Sequence, residues 1–282
     1  MHAATARPAA INWRPVHVHF LDPYKPRPSL IHRLDARVKL VLALAFILAV
    51  ALTPPGAWAV YILLFAIALS VEILSELGVG YVLKRSSLAL PFVLAAFPII
   101  FTLEQGAALF QFTIGSWTLT AYQAGLERFF SIGLKSWLSV QMAIVLTAST
   151  PFPDLLAAMR AIHIPRQIVA IFGMMWRYLF VLVDEALRLI RARTARSGQS
   201  DQPGLKMGGS LVWRGRVAGG MAGSLMLRGI ERSDRIYMAM LARGYDGEVR
   251  SVPSSPLDRL NWLILGGGLT ALLIMLILAY LF

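Results

Sequence analysis

The chain has 282 residues, no cysteine, a formal net charge of +12, and is 57% hydrophobic with only 15% charged residues. Soluble domains carry about 45–50% apolar residues and about 25% charge, so the apolar excess requires lipid and excludes a soluble fold. The missing cysteines exclude disulfides and thiolate metal centres. Strong positive charge is also the footprint of nucleic-acid binding. Here the basic residues crowd the segments outside the apolar runs, as membrane orientation demands, and no nucleic-acid partner is expected.

Residues 1–37 read as a polar cytoplasmic segment, with no apolar run long enough for a signal-peptide core. Seven Lys or Arg residues between Arg7 and Lys39 hold this end inside. His17 and His19 alternate as on a strand, but two ligands fall short of the four that a closed metal site uses. Residues 38–149 read as a four-span membrane region. An apolar run over 38–53 meets the turn Thr53-Pro54-Pro55-Gly56, and 57–74 returns. Glu72 and Glu76 stand at the inner end of that hairpin, and Lys84-Arg85 marks the next inner loop. Residues 88–103 form a third span, kinked at Pro91 and Pro98. The stretch 104–127 has no Lys or Arg and faces outside. A fourth span over 129–149 returns, with Lys135 near its outer end as a snorkelling residue.

Residues 150–258 differ in texture and read as a cytoplasmic domain of long amphipathic helices. Thr150-Pro151-Phe152-Pro153-Asp154 is a helix-start signal, followed by a short helix to about Ile162 and a corner at His163-Ile164-Pro165. Over 165–197, Ile168, Ile171, Phe172, Met175, Trp176, Leu179, Val183, Leu187 and Ile190 recur at three- and four-residue steps, giving one continuous apolar face. Asp184 and Arg188 are spaced for an i,i+4 pair. Arg177 lies near the middle of the most apolar part, which costs at least a few kcal/mol in a bilayer. A crossing there would also send thirteen Lys or Arg residues of 184–259 outside. This helix is therefore expected to lie along the cytoplasmic face.

A Gly- and Ser-rich connector over 197–212 precedes a second long helix ending at Gly244. Gly215, Gly219 and Gly223 form one stripe, and each costs about 1 kcal/mol against alanine. The expected compensation is the close crossing of another helix; a later start near Ala222 is the alternative. Glu231 and Arg235 are spaced for a second i,i+4 pair. Residues 259–282 hold the last span, uncharged over the 22 residues from Asn261. The fold class is an all-α polytopic membrane protein with about five transmembrane helices, in the bacterial cytoplasmic (inner) membrane, amino end inside.

Nothing marks a catalyst: G-x-x-x-x-G-K-[ST], G-x-S-x-G and H-E-x-x-H are all absent. No catalytic, cofactor-binding or metal-ligating residue is assigned. What remains is a repeated device at the ends of the two long helices, Ala195-Arg196-Ser197 and Ala242-Arg243-Gly244. Small neighbours leave each guanidinium free to enter a groove, where its planar fork grips carboxylates in bidentate fashion. Two copies suit a partner with two sockets.

At these residues the chain resembles the transmembrane T component of energy-coupling factor transporters, the cobalt-type permeases called CbiQ. The resemblance takes in Leu34-Asp35-Ala36-Arg37-Val38-Lys39-Leu40, Ala89-Leu90-Pro91-Phe92, Ser149-Thr150-Pro151-Phe152-Pro153-Asp154-Leu155, Arg177-Tyr178-Leu179-Phe180 and Leu241-Ala242-Arg243-Gly244-Tyr245. It implies a non-enzymatic scaffold that works with two ABC-type ATPases, which hold ATP and Mg, and with a small substrate-binding membrane protein. It implies that Arg196 and Arg243, flanked by Ala195, Ser197, Ala242 and Gly244, dock on the ATPases. Phe172, Met175, Trp176 and Leu179 then either hold the substrate protein or pack against the chain's own spans. Cobalt is the implied cargo, with nickel or a vitamin as alternatives; a stand-alone carrier is the rival class.

Overall fold

The computed structural model describes residues 23–102, 108–114, 117–196, 210–246 and 256–281. A one-turn helix, α1 (Leu30–Arg33), is capped by Ser29, whose hydroxyl accepts the His32 N–H at 3.3 Å. The imidazole Nε2 donates to the Lys25 carbonyl at 2.9 Å, and Nδ1 lies 2.6 Å from the Ser29 hydroxyl oxygen. Burial pushes the His32 pKa below its ordinary value, with the Lys25 carbonyl opposing. Next, α2 (Ala36–Leu52) starts on Asp35, whose carboxylate accepts the Arg37 N–H at 2.9 Å. The Asp35-Ala36-Arg37 stretch is thus an N-cap followed by the first helical residues.

The core forms around α2. Its Ala43, Phe46, Ala49 and Val50 pack against Val60, Leu64 and Ala68 of α3 (Trp58–Leu74). Leu138 and Met142 of α7 (Gln123–Ser149) and Leu272 and Ala279 of α11 (Arg259–Leu281) complete the cluster. Small and large side chains alternate across these faces, which lets helices approach closely without a water-driven force between them. The chain thus folds as an all-α membrane protein, with each expected span represented by helix.

Several boundaries differ from expectation. The third span begins at Val79, not 88, and is broken into α4 (Val79–Ser86), a 3-10 turn (Ser87–Ala89), α5 (Leu90–Ala95) and α6 (Ile99–Thr102). Pro91 lies in the first turn of α5, where its missing N–H leaves no helical bond unmade. Between α6 and α7 the outer stretch holds an antiparallel hairpin, β1 (Ala108–Ile114) with β2 (Trp117–Tyr122), closed by the pair Ile114 and Trp117. Its aromatic and β-branched residues favour strand. Helix α7 also begins six residues before 129, inside the expected loop. Glu72 is buried at 1% exposure, and neither of its carboxyl oxygens has a hydrogen-bond partner among the described residues.

Two lysines close the ends of the antiparallel pair α2 and α7. Lys39, in the first turn of α2, donates to the Ser149 carbonyl at the end of α7 (3.1 Å). Lys135 of α7 donates to the Ala51 carbonyl at the end of α2 (3.1 Å). Each ammonium meets the negative end of its neighbour's dipole and satisfies a carbonyl that the helix cannot. Tyr280 of α11 donates to the next α2 carbonyl, Leu52, at 3.0 Å. Lys135 is therefore an interhelical cap rather than a side chain merely reaching for water. Lys135→Met is expected to cost about 1 kcal/mol, the scale of an interhelical hydrogen bond in a membrane. Thermal unfolding in detergent checks it; an unchanged midpoint would remove the cap from the account.

Among the described residues, four stretches are long and apolar enough to cross a membrane by length and composition: Val79–Thr102, Gln123–Ser149, Arg166–Arg196 and Arg259–Leu281, with Trp58–Leu74 a shorter apolar helix. The third of these is α9 (Arg166–Arg196), which the charge distribution had assigned to the surface. Hydropathy averages over Arg177, whereas the cost of burying that guanidinium does not average.

Candidate coupling surface

Three helices make the surface: α8 (Phe152–Ala161), α9 and α10 (Leu211–Ala242). Pro151 and Pro153 start α8, and Asp154 lies in its first turn, where a carboxylate favours the positive end of the dipole. α8 packs on α2 on one side and α9 on the other, with Ala158 fully buried. Phe152 stacks on Trp176 at 4.3 Å between ring centroids, and Trp176 meets Phe180 edge-on at 5.1 Å. Thus α8 mechanically joins the membrane core to the long helices.

Of the apolar face expected on α9, Trp176 is largely occupied by its own chain. Phe172, Met175 and Leu179 are 37%, 54% and 36% exposed. Ile171 beside them is more exposed still. Contiguous apolar surface of this kind marks a membrane or protein contact. Only Val169 and Ala170 of α9 are buried, and no described residue of α10 is. These two helices cannot owe their stability to packing within this chain alone.

The contact between α9 and α10 also departs from the pattern read in the sequence. Arg228 of α10 donates to Glu185 of α9 at 2.7 Å. Neither Asp184–Arg188 nor Glu231–Arg235 forms an ion pair among the described residues. Those i,i+4 pairs are worth only about 0.2–0.5 kcal/mol each, and the crossing contact uses none of their four residues. Helix α10 starts at Leu211, with the Ser210 hydroxyl accepting from Trp213 N–H at 3.3 Å, so the glycines are helical and the later start near Ala222 is excluded. Yet Gly215, Gly219 and Gly223 face open space: among the described residues nothing lies within 4 Å of where a Cβ would stand. No helix among the described residues approaches this stripe. The glycine that α9 approaches is Gly229, 3.8 Å from Leu182 Cδ2.

The two arginine tips are built differently. Arg243 is the C-cap of α10, and Gly244 follows at φ +77, a conformation that a Cβ penalises. Gly244 N–H donates to the Leu241 carbonyl at 2.9 Å and Tyr245 N–H to Met240 at 3.0 Å, the paired bonds of a Schellman cap. Gly244 is thus dictated by the helix stop, which leaves Arg243 exposed at the last turn. Gly244→Val is expected to cost about 1–2 kcal/mol locally, read as faster amide exchange over Met240 to Ala242; unchanged exchange would contradict the cap. Arg196 is the last residue of α9, with Ala195 exposed beside it; Ser197 lies outside the described residues, as do His17 and His19.

Arg196 also lines a groove of about 690 Å³ between the end of α9 and the start of α10. Arg188, Arg193 and Arg228 share that lining with Glu185, and Arg193 sits over the Trp213 ring at 5.9 Å. One carboxylate among four guanidiniums leaves the groove strongly cationic. This groove was invisible in the sequence, because its two walls are separated by the connector.

A family model described as cobalt transport protein, CbiQ, matches residues 27–253. The energy-coupling factor transporter transmembrane protein EcfT of Brevibacillus brevis is 29% identical over 237 residues, covering 80% of this chain and 84% of that protein. EcfT of Lactococcus lactis is 26% identical over 235 residues, 79% of this chain and 83% of its own. The cobalt transport protein CbiQ of Salmonella typhimurium is 29% identical over 145 residues, 47% of this chain and 64% of its own. The polytopic helical core and a family match running from α1 through both long helices lead to one conclusion: the chain belongs to the CbiQ family of cobalt transport proteins.

Proposed function

We propose that this chain is the coupling subunit of an energy-coupling factor importer, carrying ATP-driven motion from two ATPases to a small substrate-binding membrane protein. The observation that carries the reading is a pair of long helices, each ending in an exposed arginine and each with an uncovered apolar face. Residues 150–258 lie on the cytoplasmic side, with Ala195, Arg196, Ser197, Ala242, Arg243 and Gly244 as the ATPase contacts. Closure of the ATPases moves the arginines, α9 and α10 turn about the Glu185–Arg228 contact, and α8 passes the displacement to α2. Phe172, Met175 and Leu179 meet the substrate protein through a Met-bearing, adaptable surface. The glycine stripe offers the same open access to a neighbouring helix. The chain itself binds no cofactor and hydrolyses no ATP; ATP and Mg belong to the partners. Cobalt ion is the cargo, in line with the family's description.

Because the chain has no cysteine, single cysteines report topology directly. Cysteines introduced at 196 and 243 are expected to react with a membrane-impermeant maleimide in inside-out vesicles and to be protected in intact cells. Labelling of either from outside would refute the reading, and it is the outcome that a membrane-crossing α9 requires.

A further inference from the structure

Lys39 is a buried basic group in the membrane core. It is 8% exposed, and its ammonium makes one hydrogen bond, to the Ser149 carbonyl, leaving two donor positions unused among the described residues. Asp35 and Asp154 act on it only from a distance, and Asp35 is already 3.8 Å from Arg37. A buried charge without a counterion costs several kcal/mol unless something supplies one. The same lysine lines a cavity of about 360 Å³ between α1, α2, α3, α7 and α11, more than twice the ~150 Å³ apolar cavity that takes up benzene. Leu42, Val71, Met142, Gly268 and Ala271 are among its walls, and Ser149 is the one other polar residue lining it. On α11 the lining runs from Ile264 to Leu272, about 12 Å of helix axis. The cavity therefore extends along the spans, apolar throughout, with a single positive charge at the end where α2 enters the membrane.

We infer that this cavity holds one acyl chain of an anionic phospholipid from the leaflet on the amino-terminal side of α2, with the lipid phosphate paired to Lys39. Shape and charge together select this occupant. A chain lying along the helices replaces the missing packing, and a phosphate at the bilayer surface supplies the missing counterion through charge-assisted hydrogen bonds. A zwitterionic lipid offers the same phosphate with its own cation already beside it, so it fills the apolar part but pairs the ammonium more weakly.

To test this, the full chain is purified in mild detergent, stripped of lipid and titrated in native mass spectrometry. The probes are phosphatidylglycerol, phosphatidylcholine with the same chains, and the corresponding free fatty acid. One phosphatidylglycerol is expected to bind about tenfold more tightly than phosphatidylcholine, the scale of one charge-assisted pair. Lys39→Gln, which can still donate to Ser149, is expected to abolish that preference. Ala271→Phe, which fills the cavity and leaves Lys39 in place, is expected to weaken both phospholipids at least about tenfold with an unchanged melting temperature. Equal binding of the two phospholipids overturns the inference, as does a preference that survives Lys39→Gln or wild-type binding by Ala271→Phe. Tighter binding of the fatty acid than of phosphatidylglycerol assigns the site to a free fatty acid and overturns it as well.

Discussion

Replacing Arg196 or Arg243 by glutamate is expected to abolish ATP-driven uptake while leaving substrate binding by the partner membrane protein intact. Both residues sit exposed at the ends of their helices, so neither substitution opens a cavity or breaks an internal ion pair of Arg243 or Arg196 among the described residues. The folded chain should therefore survive. On the coupling proposal, in which each arginine docks against carboxylates, reversing its charge costs about 2–5 kcal/mol at a desolvated pair, which removes most of the complex at ordinary concentrations. Co-purification of the ATPase and uptake into vesicles measure the two consequences separately. Arg228→Glu is the informative comparison, because it breaks the 2.7 Å contact with Glu185 inside the chain and keeps both tip arginines, although it alters the groove that Arg196 shares. It should leave ATPase association near wild type and slow the uptake. Full uptake in both tip variants would end the coupling account. The two tips should also differ in salt dependence: Arg196 shares a groove with Arg188, Arg193 and Arg228, whereas Arg243 stands on an isolated Schellman cap.

The second large effect is structural. Gly125→Val is expected to cost about 3 kcal/mol, at the upper end for overpacking. A Cβ at Gly125 would stand 2.7 Å from the Ile100 carbonyl oxygen and 3.0 Å from Ile100 Cα. Those atoms are backbone and cannot rotate away, so α7 would have to separate from α6 at the point where the broken span ends. Gly133 supplies the comparison: its Cβ would meet Val93 Cγ1 at 3.2 Å, a side chain that can turn. Gly133→Ala should therefore be tolerated. Thermal unfolding followed by size-exclusion chromatography orders the two variants, and a Gly125→Val midpoint no lower than that of Gly133→Ala would contradict the packing described.

By itself, the sequence determined that this is a helical membrane protein, roughly where its apolar helices lie, and that two long amphipathic helices end in matched arginine motifs. Hydropathy and the 3.6-residue period are properties of short windows, so they survive without knowledge of what packs against what. The arginine motifs were legible for the same reason, since cap, tip and stop are consecutive residues. Only the tertiary structure decided the partners. It paired Arg228 of α10 with Glu185 of α9, and formed neither expected i,i+4 pair among the described residues. It turned Lys135 into a cap for Ala51, and it left the glycine stripe of α10 facing open space. It also brought Lys39 to the end of an apolar cavity lined by residues of five separate helices. Each of these depends on contacts between residues tens to hundreds of positions apart, and local periodicity carries no information about such distances.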